Sequence, residues 1–176
     1  FGVGLGKLPW HLTRGDTQLP LPGGFYPQEI SGHQGMVLNG PDVFAGLLPD
    51  EGFYFLSQRV DLADGQAYRF SADAVSDRKA DLLVKVCALH LLYPARCRDR
   101  IIGLHSGRQH RESSPLRPLF EAGDWRATGH GVLLLSVLTP GAKVGLSQVH
   151  LTDGPNNVVR NAQFLDGAAA WFPIAR

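Results

Sequence analysis

At 176 residues, 44% of them hydrophobic, the chain is long enough for one domain with a core of its own. Its 17 Lys and Arg against 16 Asp and Glu leave a formal charge of +1, without the clustered basic surplus of a nucleic-acid binder; the most basic stretch, 96–118, is diluted by acids, Gly and Pro. No apolar run nears the roughly 20 residues of a membrane-spanning helix.

The opening FGVGLGKLPW has no initiating Met, and Met36 is the only one present, so a processed protein or a piece of a longer one is expected. Less regular strands are expected at 24–30 and 34–38. Next, FYFLSQRVDL sets Leu56, Val60 and Leu62 against Ser57, Arg59 and Asp61. In GQAYRFSADAVS, Tyr68, Phe70, Ala72 and Ala74 share one face, and Arg69, Ser71 and Asp73 the other. Both have the period of two of a half-buried strand. Asp64-Gly65 between them tolerates positive φ, so 53–62 and 66–75 are expected to pair as a hairpin.

In KADLLVKVCALHLLY, Leu82, Val84 and Val86 oppose Lys85 and Cys87. Ala, Leu and Lys also suit a helix, but recurrent Val and strand neighbours favour a strand to about Leu89. A further strand is expected at 99–104, then a long loop or short helix over 106–128. The run GVLLLSVLTPG, 131–141, ends at Pro-Gly and is followed by KVGLSQVHLTDG, 143–154, which suggests a second hairpin. The 21 Gly and 12 Pro fall between these runs, as turns joining short strands require. The whole, 1–176, is expected to be a single all-β domain, an antiparallel β-sandwich or jelly roll.

Catalytic and metal motifs are missing. The seven His do not form a zinc spacing, and Cys87 and Cys97 are not a Cys-x-x-Cys knuckle. SGHQG, 31–35, has His where a nucleophile elbow needs Ser, and GVGLG, 2–6, lacks the strand and completed pattern of a dinucleotide fingerprint. Asp73, Asp77 and Asp81 are the candidates for a carboxylate pair, although acids near strand ends are usually solvated. No enzyme activity is expected. Trp10, Trp125, Trp171, Tyr26, Tyr54 and Tyr93 fall at loops or strand ends, where an aromatic plate can stack on the C–H face of a sugar ring. The competing role for each is packing. Tyr68, Phe70 and Phe164 are assigned to the core. For a sugar, Tyr54, Arg59 and Trp125 are the first choices: Arg59 lies opposite the apolar face of its strand, and Trp125 follows an Asp in the irregular EAGDW.

The stretch SQRVDLADGQAYRFSADAVS resembles a recurrent element of carbohydrate-binding modules with the galactose-binding-like jelly roll. VGLSQVHLTDG is similar to a strand near the end of those modules, and NAQFLDGAAAWF to their opening. The resemblance implies that fold and a non-catalytic glycan-binding or glycan-guiding role. Some such modules hold a structural calcium; Ser147 and Gln148 stand where the supporting acids often fall, so a structural calcium stays open with no location given to it, and no other cofactor is assigned. VCALHLLYPARC together with VVRNAQFLDGAAAWF is also similar to extracytoplasmic domains of bacterial multi-pass membrane proteins, including the O-antigen polymerase and ligase type. This likeness implies a periplasmic domain tethered to the inner membrane through flanking segments, with the membrane domain of the same chain as a partner. The segment 158–176 would then be a closing edge that lays Phe164 and Trp171 onto the sandwich; the alternatives are the start of a second module and, for function, a scaffold that binds protein and no sugar or, third in order, a glycan-processing enzyme. A turn at Tyr93-Pro94 brings Cys87 and Cys97 within reach of a bridge, or leaves two thiols in a reducing cytosol. The resemblance to extracytoplasmic domains implies the disulfide. Cys87 lies off the apolar face of its strand, so it is not required to be buried.

Overall fold

A computed structural model describes residues 25–30, 32–41, 54–63, 66–90, 93–106, 110–115 and 129–175. In chain order the strands are β1 (Phe25–Ile30), β2 (His33–Asn39), β3 (Tyr54–Asp61), β4 (Arg69–Ser76), β5 (Ala80–His90), β6 (Tyr93–Leu104), β7 (His110–Pro115), β8 (His130–Val137), β9 (Lys143–Asp153), β10 (Asn156–Asn157) and β11 (Phe172–Ala175). Among the described residues they form two antiparallel sheets. The six-stranded sheet runs β1-β2-β9-β4-β7 with β10 paired to β9; the five-stranded sheet runs β11-β3-β8-β5-β6. The fold is an all-β jelly-roll sandwich.

Each sheet turns one face inward. Met36 and Leu38 of β2, Phe70, Ala72 and Ala74 of β4, and Val144, Leu146, Val149 and Leu151 of β9 meet Leu56 and Val60 of β3, Leu82, Val84 and Val86 of β5, and Leu133 and Leu135 of β8. The alternation that marked these segments as strands selects these side chains, because successive residues of a strand point to opposite faces.

Alternation does not say which strands are neighbours, and both expected long hairpins are corrected. Segments 53–62 and 66–75 do not pair. β3 pairs with β8 and β11, whereas β4 pairs with β7 and β9 in the other sheet. Tyr68 ties this crossover together: its ring is buried and its hydroxyl accepts the Ala63 N–H at 2.7 Å. Likewise 131–141 and 143–154 cross from β8 to β9 in opposite sheets. Two strands facing each other across a core carry the same apolar pattern as two strands side by side. Within 106–128, residues 110–115 form strand β7 instead of loop or helix, and 116–128 lie outside the described residues.

Among the described residues, the long hairpins that do form are β1–β2 and β5–β6, and a short one joins β9 to β10. In β5–β6, the register slips between Cys87 and Ala88, and Arg96, at φ 46°, is the extra residue of the bulge. Cys87 and Cys97 are directly opposed and joined by a disulfide, Cα atoms 4.0 Å apart. Cys87 is fully buried although its position off the apolar face did not require it: on the outer face of the five-stranded sheet it clusters with Leu89, Val132 and Leu134.

The last stretch closes the sandwich through backbone capture. Gln58, buried in β3, accepts the Arg160 N–H at 2.6 Å and donates to the Arg160 carbonyl at 2.8 Å. A second bulge, with Gln148 at φ 52°, interrupts the β4–β9 ladder, and the Val149 N–H goes to the Ala162 carbonyl at 2.9 Å. Asn161, at φ 48°, donates through Nδ2 to the Gly167 and Ala169 carbonyls, both at 3.0 Å, and accepts the Asp166 N–H at 3.3 Å. Its own carbonyl accepts the Trp171 indole N–H at 3.4 Å. Phe164 and Trp171, both buried, stack with centroids 5.4 Å apart. β11 then adds to the edge of β3, where the Ser57 hydroxyl donates to the Phe172 carbonyl at 2.7 Å.

Candidate functional site

The outer face of the six-stranded sheet carries an open groove of about 480 Å³. Register builds its floor. Tyr26 on β1 opposes Val37 on β2, Val37 opposes Gly145 on β9, and Gly145 opposes Val75 on β4. These four positions alternate with the core residues Met36, Leu38, Val144, Leu146 and Ala74, so they share the face turned away from the core. At about 4.8 Å between strands, the row spans about 14 Å.

Two glycines shape the floor. A Cβ on Gly145 would fall 2.6 Å from Ile30 Cδ1, and one on Gly35 would meet the same side chain and, at 2.7 Å, the Leu146 carbonyl. Glycine in a strand interior often marks such close approach. Here it lets Ile30 fold down beside the half-buried Tyr26 ring and form an apolar wall.

Polar groups stand around the wall. Gln28, Glu29, Asp77, Ser106 and Lys143 line the groove and are exposed. Asp77 is committed to the fold: Oδ1 accepts the Lys143 backbone N–H at 2.9 Å, Oδ2 meets Arg78 at 3.4 Å, and its carbonyl accepts the Ser106 hydroxyl at 2.9 Å. Asn39 pairs with Lys143 at the same end. Its Oδ1 is buried and has no hydrogen-bond partner.

Of the residues first chosen from sequence, Arg59 is exposed on the outer face of β3, in the five-stranded sheet, where it opposes Val132. Its carbonyl accepts from the Arg160 guanidinium at 3.4 Å. Tyr54 starts β3 opposite Ala175, with its side chain outside the described residues. Trp10, Trp125, the Asp64-Gly65 turn, the 2–6 stretch and the Tyr93 side chain also lie outside them. Asp73 and Asp81 stand on different sheets, so they do not form a carboxylate pair. Among the described residues, no three His, Cys, Asp or Glu gather where they could hold a metal ion. Tyr26 was among the aromatics noted, but Gln28, Glu29, Lys143 and the glycine floor were not. The legible signal was Gly35 and Gly145 inside otherwise apolar strands.

No protein-family model and no curated protein sequence matches the chain. Among solved structures it is similar to a family 4 carbohydrate-binding module, with 12% identity over 80% of this chain and 83% of that one and a TM-score of 0.50. It is also similar to a family 61 module in complex with β-1,4-galactotriose (19% identity, 68% and 70% covered, TM-score 0.44). A third is a family 16 carbohydrate-binding module (13% identity, 77% and 89% covered, TM-score 0.44). The first of these likenesses shows a shared fold: the jelly-roll sandwich of a carbohydrate-binding module.

Proposed function

We propose that the domain is a non-catalytic glycan-binding module and that its ligand lies in the groove of the six-stranded sheet. One observation carries this reading: an open, flat-floored groove sets the Tyr26 ring and the Ile30 wall beside exposed amide, carboxylate and ammonium groups. A pyranose presents an apolar C–H face and a rim of hydroxyls, and this lining answers both. The row of about 14 Å accommodates two or three sugar rings at roughly 5 Å each, an estimate from strand spacing. The shared fold with a family 4 carbohydrate-binding module supports the reading.

The finer parts of the proposal are an extracytoplasmic, periplasmic location and service to a membrane-bound polysaccharide system. The Cys87–Cys97 bridge supports an oxidising compartment. The likeness of the 158–172 stretch to domains of membrane polymerases and ligases supports the tether.

A glycan array on the purified domain, followed by calorimetry with the best ligand, tests the reading. Tyr26→Ala is expected to weaken binding about tenfold or more, since an aromatic contact of about 1.4 kcal/mol is a factor of ten. A triple Tyr54→Ala, Arg59→Ala, Trp125→Ala variant is the contrasting arm. If that variant loses binding and Tyr26→Ala does not, the ligand lies elsewhere than this groove. If the array is blank, the glycan reading gives way to a protein scaffold, which the exposed Ile101, Leu165 and Phe172 would serve.

A further inference from the structure

Resting on the glycan-binding reading of this groove, we infer that its ligand is an anionic glycan, whose ring-borne carboxylate or sulfate lies against Lys143 while the sugar stacks on Tyr26. Charge placement carries the inference. Lys143 is exposed, lines the groove and carries an ammonium that, among the described residues, no carboxylate pairs. Asp77, whose carboxylate lies against the Lys143 backbone, is already used. Its two oxygens hold the Lys143 backbone N–H and the Arg78 guanidinium. Among the described residues, Asp77, Arg78 and Lys143 together carry one surplus positive charge.

Glu29 is the other acid of the lining, and it stands at the opposite end. Glu29 is level with Gln34, and Lys143 with Asn39. Five residues of strand separate those levels, about 17 Å. That exceeds the screening length of roughly 8 Å at physiological salt, so the two charges do not cancel. A second observation marks the same end: Asn39 Oδ1 is buried without a partner, so the polar groups here are not all used by the fold. One residue of strand rises about 3.4 Å, which puts the Lys143 backbone about 7 Å from Gly145 and the floor row. A charged group on the edge of a ring lying over Val37 and Gly145 is within reach of a lysine's four-carbon stem.

Binding is measured by calorimetry and affinity electrophoresis of the intact domain against polygalacturonate, a sulfated galactan and a neutral β-galactan. The variants are Tyr26→Ala, Lys143→Ala and Lys143→Arg, each checked for an unchanged melting temperature. The expected result is preference for one or both anionic polymers over the neutral one. Lys143→Ala lowers that preference about threefold to tenfold, Lys143→Arg keeps it, and raising salt from 50 to 300 mM erodes it in the parent and not in Lys143→Ala. The polyuronate and sulfate arms separate the two sources of charge. If a neutral glycan binds equally well in a Tyr26-dependent way, or Lys143→Ala keeps the preference, the anionic inference is overturned and the glycan-binding reading stands. If no polymer binds, or Tyr26→Ala changes nothing, both fall.

Discussion

Gln58→Leu removes one amide from the inside of the sandwich and should loosen the whole closing segment. Gln58 is completely buried, and both halves of its amide serve one peptide unit, the N–H and C=O of Arg160. Leu has nearly the same volume, so little cavity forms. The loss is two hydrogen bonds, each worth about 1 kcal/mol net, plus desolvation of whatever part of the Arg160 peptide water does not reach. The total is about 2–4 kcal/mol. For a domain of this size, 1 kcal/mol moves the melting temperature by about 2–4 °C, so the expected fall is about 4–16 °C. Differential scanning calorimetry measures it. Hydrogen exchange adds a spatial test: protection should drop at Val149, Arg160 and Trp171 before it drops in β5 or β8. A Gln58→Leu protein that melts within 1 °C of the parent, with unchanged exchange at Arg160, would refute the view that this side chain holds the segment down.

Two further outcomes are expected. Reduction of the Cys87–Cys97 bridge opens a loop with a sequence separation of 10 and should cost about 2.7 kcal/mol by loop entropy, read as a melting temperature lower by about 5–11 °C; thiol titration of the unfolded, unreduced protein should find none, and two per chain would refute the bridge. Burial raises the Tyr68 hydroxyl's pKa, with lesser contributions from Asp153 and Asp61 against the opposing Ala63 bond. The neutral phenol is therefore the form the fold favours: this stabilisation is complete below about pH 10, the unfolded value, and is lost as pH rises through the folded one. Tyr68→Phe should be about 1 kcal/mol less stable at neutral pH yet lose less between pH 10 and 11.5, and parallel alkaline melting curves would count against this.

Strand existence was legible because it is a local property. A half-buried strand has to alternate, and Leu56, Val60, Phe70, Ala72, Leu82 and Val84 do so and are buried. Pairing was not legible, because the same alternation serves neighbours in one sheet and opponents across the core. The Asp64-Gly65 signal and the Pro-Gly at 140–141 were read as hairpin turns, yet the strands on either side of each lie in different sheets. The burial of Cys87 was not legible for a related reason. Its position off the apolar face of β5 was read correctly, but Val132 and Leu134 make the other face apolar at that point too.

The closing segment and the groove differ in how their determinants are spread along the chain. Asn161, Phe164, Gly167 and Trp171 fall within eleven consecutive residues, and each residue type meets a local need. Asn tolerates φ 48° and bridges two carbonyls, Gly167 sits at φ 60°, and Phe and Trp fill one pocket of the core. A pattern of that kind survives as sequence. The groove is assembled from Tyr26, Val37, Val75 and Gly145, which meet only because β1, β2, β9 and β4 lie side by side in a particular register. A one-residue slip of β9 would turn Gly145 and Lys143 inward and put Val144 on the outer face. The bulge at Gln148 lies on the far side of that row, so the register at Gly145 is set by Val144 and Leu146 in the core. The groove face is thus specified by residues that do not line it, which is why no reading confined to exposed aromatics finds it.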